Sequence, residues 1–175
     1  KKIIPPGKLE NNPLILHRSV EKELINFLYK MKLRDQEKYQ EPTYGSAVGS
    51  DYMLFDSHNK MIVKLKNDIS SLLREAVKSE VLIVDSFFTI FRSGGGLKSH
   101  CHLNRLDKIR GLNIARQKFS MVYYLSIGDQ DCDEPGILKL DNPNQDILPK
   151  DGLIIIFPSD RLHSVSYKGK IDRVI

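Results

Sequence analysis

The chain has 175 residues, of which 41% are hydrophobic and 28% charged, so it can bury the core of one globular domain. Its longest apolar run, 153–158, is far shorter than the roughly 18 to 20 residues that cross a bilayer, and we expect no membrane segment. The net charge of +5 is modest and spread along the chain, which does not favour a nucleic-acid partner. The chain opens without a charged and then apolar leader, and Cys101 and Cys132 fit neither a disulfide framework nor a zinc motif. We therefore expect a cytoplasmic protein.

The first half of the sequence predicts helices joined by irregular segments. Apolar residues at mixed three- and four-residue spacings predict a helix over 19–34, with Ser19 as its N-cap. A more regular apolar stripe predicts a second helix, which is capped by Ser57 or Asn59 and ends near Ser79. The segment between the two helices lacks a period and is predicted to form loops or short strands.

After residue 80 the sequence changes to β-branched and aromatic runs that are separated by turn residues. Such runs predict an antiparallel sandwich or jelly roll. The predicted strands cover 81–84, 87–91, 119–127, 137–140, 153–157, 164–167 and 171–175. The glycine-rich residues 93–96 predict a turn. We expect an α+β protein in which residues 1–80 support a β-domain over 81–175, both within a single domain.

The sequence His100-Cys101-His102 carries the clearest chemical signal. In an extended segment residues i and i+2 project from the same face, so both imidazoles can reach one point while Cys101 points away. His163 follows a strongly apolar run and a turn, and a third imidazole at the start of another strand would complete one face of a metal's coordination sphere. The spacing therefore predicts a metal site formed by His100, His102 and His163, with positions left open for catalysis.

Several segments around these histidines share a recognisable order. The chain reads FRSGGGLKSHCH at 91–102, FSMVYYLS at 119–126, PGIL at 135–138 and LPKDGLIIIFPSDRLHSV at 148–165, and Arg173 follows His163 by ten residues. In order, spacing and residue type these segments resemble the prolyl hydroxylase-like iron(II)- and 2-oxoglutarate-dependent dioxygenases. The first is similar to the family's approach to its metal motif, which ends in His, any residue, Asp.

The resemblance covers about residues 81–175. It implies a double-stranded β-helix, the cupin-like jelly roll, which is backed by N-terminal helices. It also implies an enzyme that uses iron(II) and 2-oxoglutarate to hydroxylate a C–H bond, with ascorbate as a candidate accessory reductant. The expected substrate is a small molecule or a peptide, such as a peptidyl or free amino acid, on the likeness to prolyl hydroxylases alone.

The resemblance also assigns roles to individual residues. His100 and His163 would hold the iron. Arg173 would bind the distal carboxylate of 2-oxoglutarate through a two-pronged, charge-assisted hydrogen bond. Ser120 and Tyr124 share strand parity and would line the co-substrate pocket, with the Tyr124 hydroxyl as a second donor to that carboxylate. The opposite parity, in which both side chains face away, is the alternative.

His102 is where the sequence departs from the family, because it stands at the position of the carboxylate ligand. Three neutral ligands would leave the full +2 charge of the iron uncompensated, whereas a carboxylate would leave +1. Three outcomes are open: His102 ligates the metal, it swings aside, or the site has lost iron chemistry. Asp107 lies five residues beyond His102 and lacks the parity that would bring its carboxylate to the metal automatically.

Other features leave further alternatives open. The basic segment 105–118 is either a lid that grips the substrate or a solvated loop. Two rival functions also stand. One is a three-histidine dioxygenase that does not use 2-oxoglutarate, and the other is a non-catalytic jelly-roll binding module with inert histidines.

Overall fold

The computed structural model describes residues 12–31, 33–35, 43–109 and 117–175. They form two α-helices, α1 (Lys22–Lys30) and α2 (Lys60–Val77), and a short 3-10 helix at Leu54–Asp56. The strands are β1 (Leu14–His17), β2 (Arg34–Asp35), β3 (Thr43–Tyr44), β4 (Ala47–Gly49), β5 (Thr89–Phe91), β6 (Gly95–His100), β7 (Phe119–Tyr123), β8 (Leu138–Leu140), β9 (Gln145–Ile147), β10 (Leu153–Pro158), β11 (His163–Tyr167) and β12 (Arg173–Val174).

These strands pair in antiparallel sheets. The orders are β1-β10-β7, β3-β6-β11-β8-β9 and β12-β5-β4-β2, so most neighbours in a sheet are distant in sequence. Antiparallel sheets whose strands cross over between distant parts of the chain are typical of jelly rolls. The few helices and the antiparallel sheets agree with the predicted α+β class and with a jelly-roll fold.

Helix α2 forms where the apolar stripe predicts it. The side chain of Asn59 caps the helix, because its Oδ1 accepts the N–H of Met61 at 2.9 Å. The buried positions Ile62, Leu65 and Ile69 recur at three- and four-residue spacings and turn one face to the core. Neither described helix is long and apolar enough to cross a membrane.

Helix α1 is shorter than predicted and begins at Lys22 rather than near Ser19. Its N-cap is Glu21, which makes no side-chain capping bond to the helix backbone. The Glu21 carboxylate instead binds Arg18 at 2.8 Å, and Arg18 also binds Asp68 of α2 and the hydroxyl of Tyr123 on β7. This ion-pair network fixes both helices against the sheet, and it explains why residues before Lys22 do not join the helix.

Strand β10 divides the core into two layers. Because side chains alternate along a strand, Ile154 and Ile156 pack under the helices, whereas Ile155 and Phe157 pack with Leu138 and neighbouring residues on the other face. Burial of each such side chain contributes about 1.5–3 kcal/mol. The Phe157 ring also meets the imidazole of His163, with 4.8 Å between ring centroids, so this second layer supports the predicted metal site.

The predicted strand at 81–84 is wrong. Leu82 and Val84 are exposed, while Val81 and Ile83 pack against the core, so the residues alternate as in a strand. Within the described part of the chain, however, no named strand pairs with this segment. The alternation of apolar residues predicts which side chains are buried, but it does not predict whether a neighbouring strand is available for pairing.

The predicted turn at 93–96 is only partly correct, because Gly95 and Gly96 begin β6. A Cβ on Gly95 would lie 2.6 Å from the carbonyl oxygen of Ser46, so glycine is needed here for close approach of two backbones. Strand β1 was not predicted at all. Strands β1, β3 and β4 pair with strands that follow residue 80, and the division of the chain at residue 80 stays a prediction.

The cap of α2 gives a test of how this helix is stabilised. We expect Asn59→Ala to lower the free energy of unfolding by about 1 kcal/mol, because the N–H of Met61 loses its acceptor. Asn67→Ala is the matched control, since Asn67 is exposed within the same helix. There alanine should stabilise by a few tenths of a kcal/mol, about the difference in helix propensity. Urea unfolding measures both, and equal effects would contradict the capping role.

Candidate metal centre

Antiparallel strand pairing brings two of the predicted ligands together. His100 is the last residue of β6 and His163 is the first residue of β11, and the two are direct partners in the ladder. Their ring centroids lie 4.2 Å apart. Residues that are 63 positions apart in sequence therefore meet because the register of one strand pair places them opposite each other.

His102 joins this pair from just beyond the end of β6. Its ring centroid lies 4.9 Å from those of both His100 and His163, and its Nε2 lies 3.1 Å from His163 Nε2. One ring nitrogen of each histidine falls within 4.8 Å of the others, which makes a three-histidine cluster. The convergence of His100, His102 and His163 that the sequence predicts is thus present.

Backbone carbonyls fix the tautomers of two of the imidazoles. His100 Nδ1 lies 2.7 Å from the carbonyl oxygen of Lys98, and His163 Nδ1 lies 3.1 Å from that of Arg161. A carbonyl oxygen only accepts hydrogen bonds, so each Nδ1 must donate and carry the proton. Nε2 is therefore the unprotonated nitrogen in the neutral form of each ring, which is the form that metal ligation requires.

Burial favours the neutral form of two of the imidazoles. His163 is only 2% exposed, and burial together with the nearby His100 lowers its pKa to about 3. Burial is also the main cause that lowers the pKa of His102 to about 4. The positive charges of His100 and Lys118 act in the same direction, and the negative charge of Asp85 partly opposes the shift. At neutral pH each of these two rings keeps one unprotonated nitrogen, whose lone pair can bind a cation.

The geometry of the cluster fits a transition-metal ion. Two nitrogens that bind one ion at right angles, each about 2.1 Å away, lie about 3 Å from each other. The Nε2 atoms of His102 and His163 are 3.1 Å apart. Imidazole donors suit iron, zinc, copper and nickel and do not suit calcium or magnesium. His100, His102 and His163 are therefore the residues that would hold such an ion.

The carboxylate of Asp107 is engaged elsewhere. Its Oδ2 accepts hydrogen bonds from Lys118 Nζ and from the backbone N–H of Asn104, both at 2.8 Å. The ammonium of Lys118 holds the pKa of Asp107 below its usual value. Among the described residues the metal-ligand cluster contains three histidines and no carboxylate.

Arg173 is fully buried beside Pro135 and Gly136, which belong to the segment PGIL that carries part of the family resemblance. Its Nε donates to the carbonyl of Ile127 at 3.0 Å, and its two terminal nitrogens donate to the carbonyls of Gly136 and Pro135. The guanidinium carbon also lies 4.6 Å from the centroid of the Tyr167 ring. Gly136 has a φ of +76°, and a Cβ there would lie 1.8 Å from Arg173 Nη1, so only glycine fits.

Arg173 forms no ion pair within the described residues, although the negative charge of Asp151 acts on it from a longer distance. Within the described residues no carboxylate oxygen lies within 4.0 Å of its guanidinium, and its named partners are carbonyl oxygens and an aromatic ring. Burial lowers the pKa of Arg173, since a buried cation without a counter-ion is unfavourable. The predicted role in carboxylate binding stays a prediction, and this charge imbalance is compatible with it.

Tyr124 and Ser120 follow the predicted strand parity. Val122 and Tyr124 pack in the layer that contains Phe157, whereas Met121 and Tyr123 face the helices. Burial raises the pKa of the Tyr124 hydroxyl, and the positive charge of Arg173 partly opposes that shift. The Ser120 Oγ lies 3.0 Å from the Oγ of Ser159. Their roles in co-substrate binding remain predictions.

Several groups that shape the site have no signal in the sequence. The carbonyls of Lys98 and Arg161 select tautomers, but backbone oxygens are common to all residue types. Ser159 is 1% exposed, its carbonyl accepts the N–H of His102, and its N–H donates to the carbonyl of Lys118. In the sequence it is nevertheless an ordinary turn residue. Of the basic segment 105–118, residues 110–116 lie outside the described part of the chain.

No protein-family model and no curated protein matches the chain in sequence. Solved structures do match in fold. An oxidoreductase of the 2OG-Fe(II) oxygenase family from Burkholderia pseudomallei aligns with a TM-score of 0.65 at 12% identity, covering 99% of this chain and 88% of that protein. A viral collagen prolyl hydroxylase from Paramecium bursaria Chlorella virus-1, solved with 2OG, aligns with a TM-score of 0.65 at 13% identity, covering 98% and 94%.

A prolyl hydroxylase from Trichoplax adhaerens is similar as well. That structure, a complex with a peptide fragment of the hypoxia inducible factor oxygen degradation domain, aligns with a TM-score of 0.60 at 14% identity, covering 98% of this chain and 86% of that one. The resemblance inferred from sequence is thereby confirmed at the level of the fold. At these identities the likeness concerns the fold, and activity has to be argued from the site.

The tautomers provide a test that needs no metal. In the metal-free protein we expect the neutral rings of His100 and His163 to carry their proton on Nδ1, because a carbonyl oxygen accepts from that atom in each ring. Nitrogen-15 NMR of the imidazole rings distinguishes the two neutral tautomers and the cation. A neutral ring of either residue with its proton on Nε2 would contradict the geometry described here.

Proposed function

We propose that the protein is an iron(II)- and 2-oxoglutarate-dependent dioxygenase that hydroxylates a C–H bond, and that its sheets form a double-stranded β-helix. The observation that carries the proposal is the cluster of His100, His102 and His163. Its ring nitrogens converge in a fold similar to those of solved 2OG-Fe(II) oxygenases.

The three imidazoles would hold the iron. The Nδ1 contacts of His100 and His163 leave Nε2 as the ligating nitrogen of each ring, and the 3.1 Å contact of His102 with His163 supports ligation by His102. Without a cation, His102 Nε2–H donates to the His163 lone pair, and a shift of this proton to Nδ1 frees the third donor. All three ligands are neutral, so the ion keeps its full +2 charge and favours anionic co-ligands.

The bound iron would supply the activation of O2, coupled to oxidative decarboxylation of 2-oxoglutarate to succinate and carbon dioxide. The chain contributes orientation and shelter. Phe157 packs against the His163 ring, and Ile155, Leu138 and Leu140 fill the layer beneath it. This apolar layer excludes water from one side of the site, which limits unproductive side reactions.

We assign the co-substrate carboxylate to Arg173. The guanidinium is buried, and within the described residues it has no acidic partner. A guanidinium offers five N–H donors, and the three hydrogen bonds to Ile127, Gly136 and Pro135 leave donors for a carboxylate. Tyr124 is the candidate second donor, since its hydroxyl interacts electrostatically with Arg173.

The substrate is proposed to be a peptidyl or free amino acid. Support comes from the likeness to the Trichoplax adhaerens prolyl hydroxylase, which was solved with a peptide fragment. Ascorbate would serve as an accessory reductant in assays, and a cytoplasmic location remains our expectation.

Turnover tests the proposal directly. With iron(II), 2-oxoglutarate, ascorbate and a panel of proline-containing peptides and free amino acids, we expect succinate release that requires both the metal and 2-oxoglutarate. Product formation that persists without 2-oxoglutarate would favour the three-histidine dioxygenase. A protein that binds neither iron nor 2-oxoglutarate would favour the non-catalytic binding module.

Substitution of Arg173 separates co-substrate binding from metal binding. We expect Arg173→Ala to weaken 2-oxoglutarate binding by at least about tenfold, since a charge-assisted pair is lost, while metal affinity changes little. Because Arg173 also bonds three backbone carbonyls, Arg173→Lys is the companion variant that keeps the positive charge in the core. It should fold and bind 2-oxoglutarate with intermediate affinity. Calorimetry measures both ligands, and an equal loss of iron and 2-oxoglutarate would contradict the assignment.

A further inference from the structure

We propose that the ion pair between Asp107 and Lys118 is a positioning device that holds His102 in the metal site. It acts through a ring of hydrogen bonds that includes Ser159. The inference rests on the proposed function, because it concerns metal binding by the three histidines.

His102 needs support that the other two ligands do not. His100 and His163 are held by the β6–β11 ladder, and each has its ring fixed by a backbone carbonyl. Strand β6 ends at His100, so no ladder pairing holds the backbone of His102. A ligand outside regular structure keeps its position only through specific contacts with neighbouring groups.

One side of the ring is formed by backbone hydrogen bonds to Ser159. The N–H of His102 donates to the Ser159 carbonyl at 2.8 Å, and the N–H of Ser159 donates to the Lys118 carbonyl at 3.0 Å. Ser159 is buried, and its hydroxyl bonds to that of Ser120 at 3.0 Å. The backbone of His102 is therefore tied, through one buried residue, to Lys118.

The other side of the ring is formed by side chains. Lys118 Nζ donates to Asp107 Oδ2, which also accepts the backbone N–H of Asn104 at 2.8 Å. The Asn104 Oδ1 in turn accepts the N–H groups of Leu106 and Asp107. Asn104 lies two residues from His102, so the ring closes through the chain itself.

The Asp107–Lys118 pair is the part of the ring most sensitive to substitution. The side chains of Asp107 and Lys118 are only 7% and 18% exposed, so the pair is less screened by solvent than a surface ion pair. Removal of the ammonium would leave the Asp107 carboxylate without its counter-ion, and the N–H of Asn104 would be the only one of the two described donors that stays on Oδ2. We expect residues 104–107 to rearrange in response, and the backbone of His102 to move with them.

A double-mutant cycle on metal affinity tests the proposal without relying on turnover. Cobalt(II) is titrated into the full chain, and its ligand-field absorption reports both affinity and ligand set. The proteins are wild type, Lys118→Met, His102→Ala and the double variant. We expect Lys118→Met to weaken cobalt binding about tenfold, in the range usual for groups that orient metal ligands. In the His102→Ala background it should have no further effect, and the spectra of Lys118→Met and His102→Ala should agree.

Three further variants serve as controls. Lys118→Arg keeps the ion pair and should retain wild-type affinity. Lys168→Met removes the same charge from the pair with Glu134, beyond the far end of β11, and should also leave cobalt affinity unchanged. Asp107→Asn keeps a carbonyl acceptor for Asn104 and removes the charge, so it should weaken cobalt binding in the same direction even if Lys118→Met fails to fold.

Two results would overturn the positioning role. One is a loss of cobalt affinity on Lys118→Met that is equal with and without His102, and the other is unchanged affinity for both Lys118→Met and Asp107→Asn. Failure of the proposed site gives a different result, since wild type would then bind no cobalt or His102→Ala would bind it as tightly as wild type.

Discussion

Strand β6 pairs with β11 so that His100 lies directly opposite His163, and the rest of the candidate site is built outward from that pair. A slip of one residue in this register would turn one imidazole to the opposite face of the sheet, because side chains alternate along a strand. The buried side chains of Leu138, Leu140 and Phe157 support the His163 end of the ladder. Packing in the core therefore sets the distance between the ring nitrogens of the candidate metal centre.

Electrostatics connects this centre to the proposed co-substrate. A cluster of three neutral imidazoles would leave a divalent ion with its full charge, and Arg173 contributes a second buried positive charge that has no described acidic partner. Both charges favour a dianion. In the proposed enzyme, His102 in place of the family's carboxylate ligand would strengthen the attraction for 2-oxoglutarate. Asp107 cannot restore the missing negative charge while it is paired with Lys118.

Much of the site was predictable from sequence because its signals are local. The i, i+2 spacing of His100 and His102 predicts a shared face, and the position of His163 after a buried strand predicts that it reaches the same point. Pairing partners were less predictable, since β1 depends on β10 and the alternating run at 81–84 has no described partner strand. The Ser159 contacts and the carbonyls of Lys98 and Arg161 were invisible in the sequence, because backbone bonds depend on tertiary approach.

The most direct test of the central claim is a crystal structure of the protein with cobalt(II), which imidazole ligands bind more tightly than manganese(II), with data collected at a wavelength where the metal scatters anomalously. The account predicts one anomalous peak at bonding distance, about 2.0–2.3 Å, from a ring nitrogen of each of His100, His102 and His163. A peak that His102 or His163 does not contact, or a crystal with no peak near these rings, would contradict it.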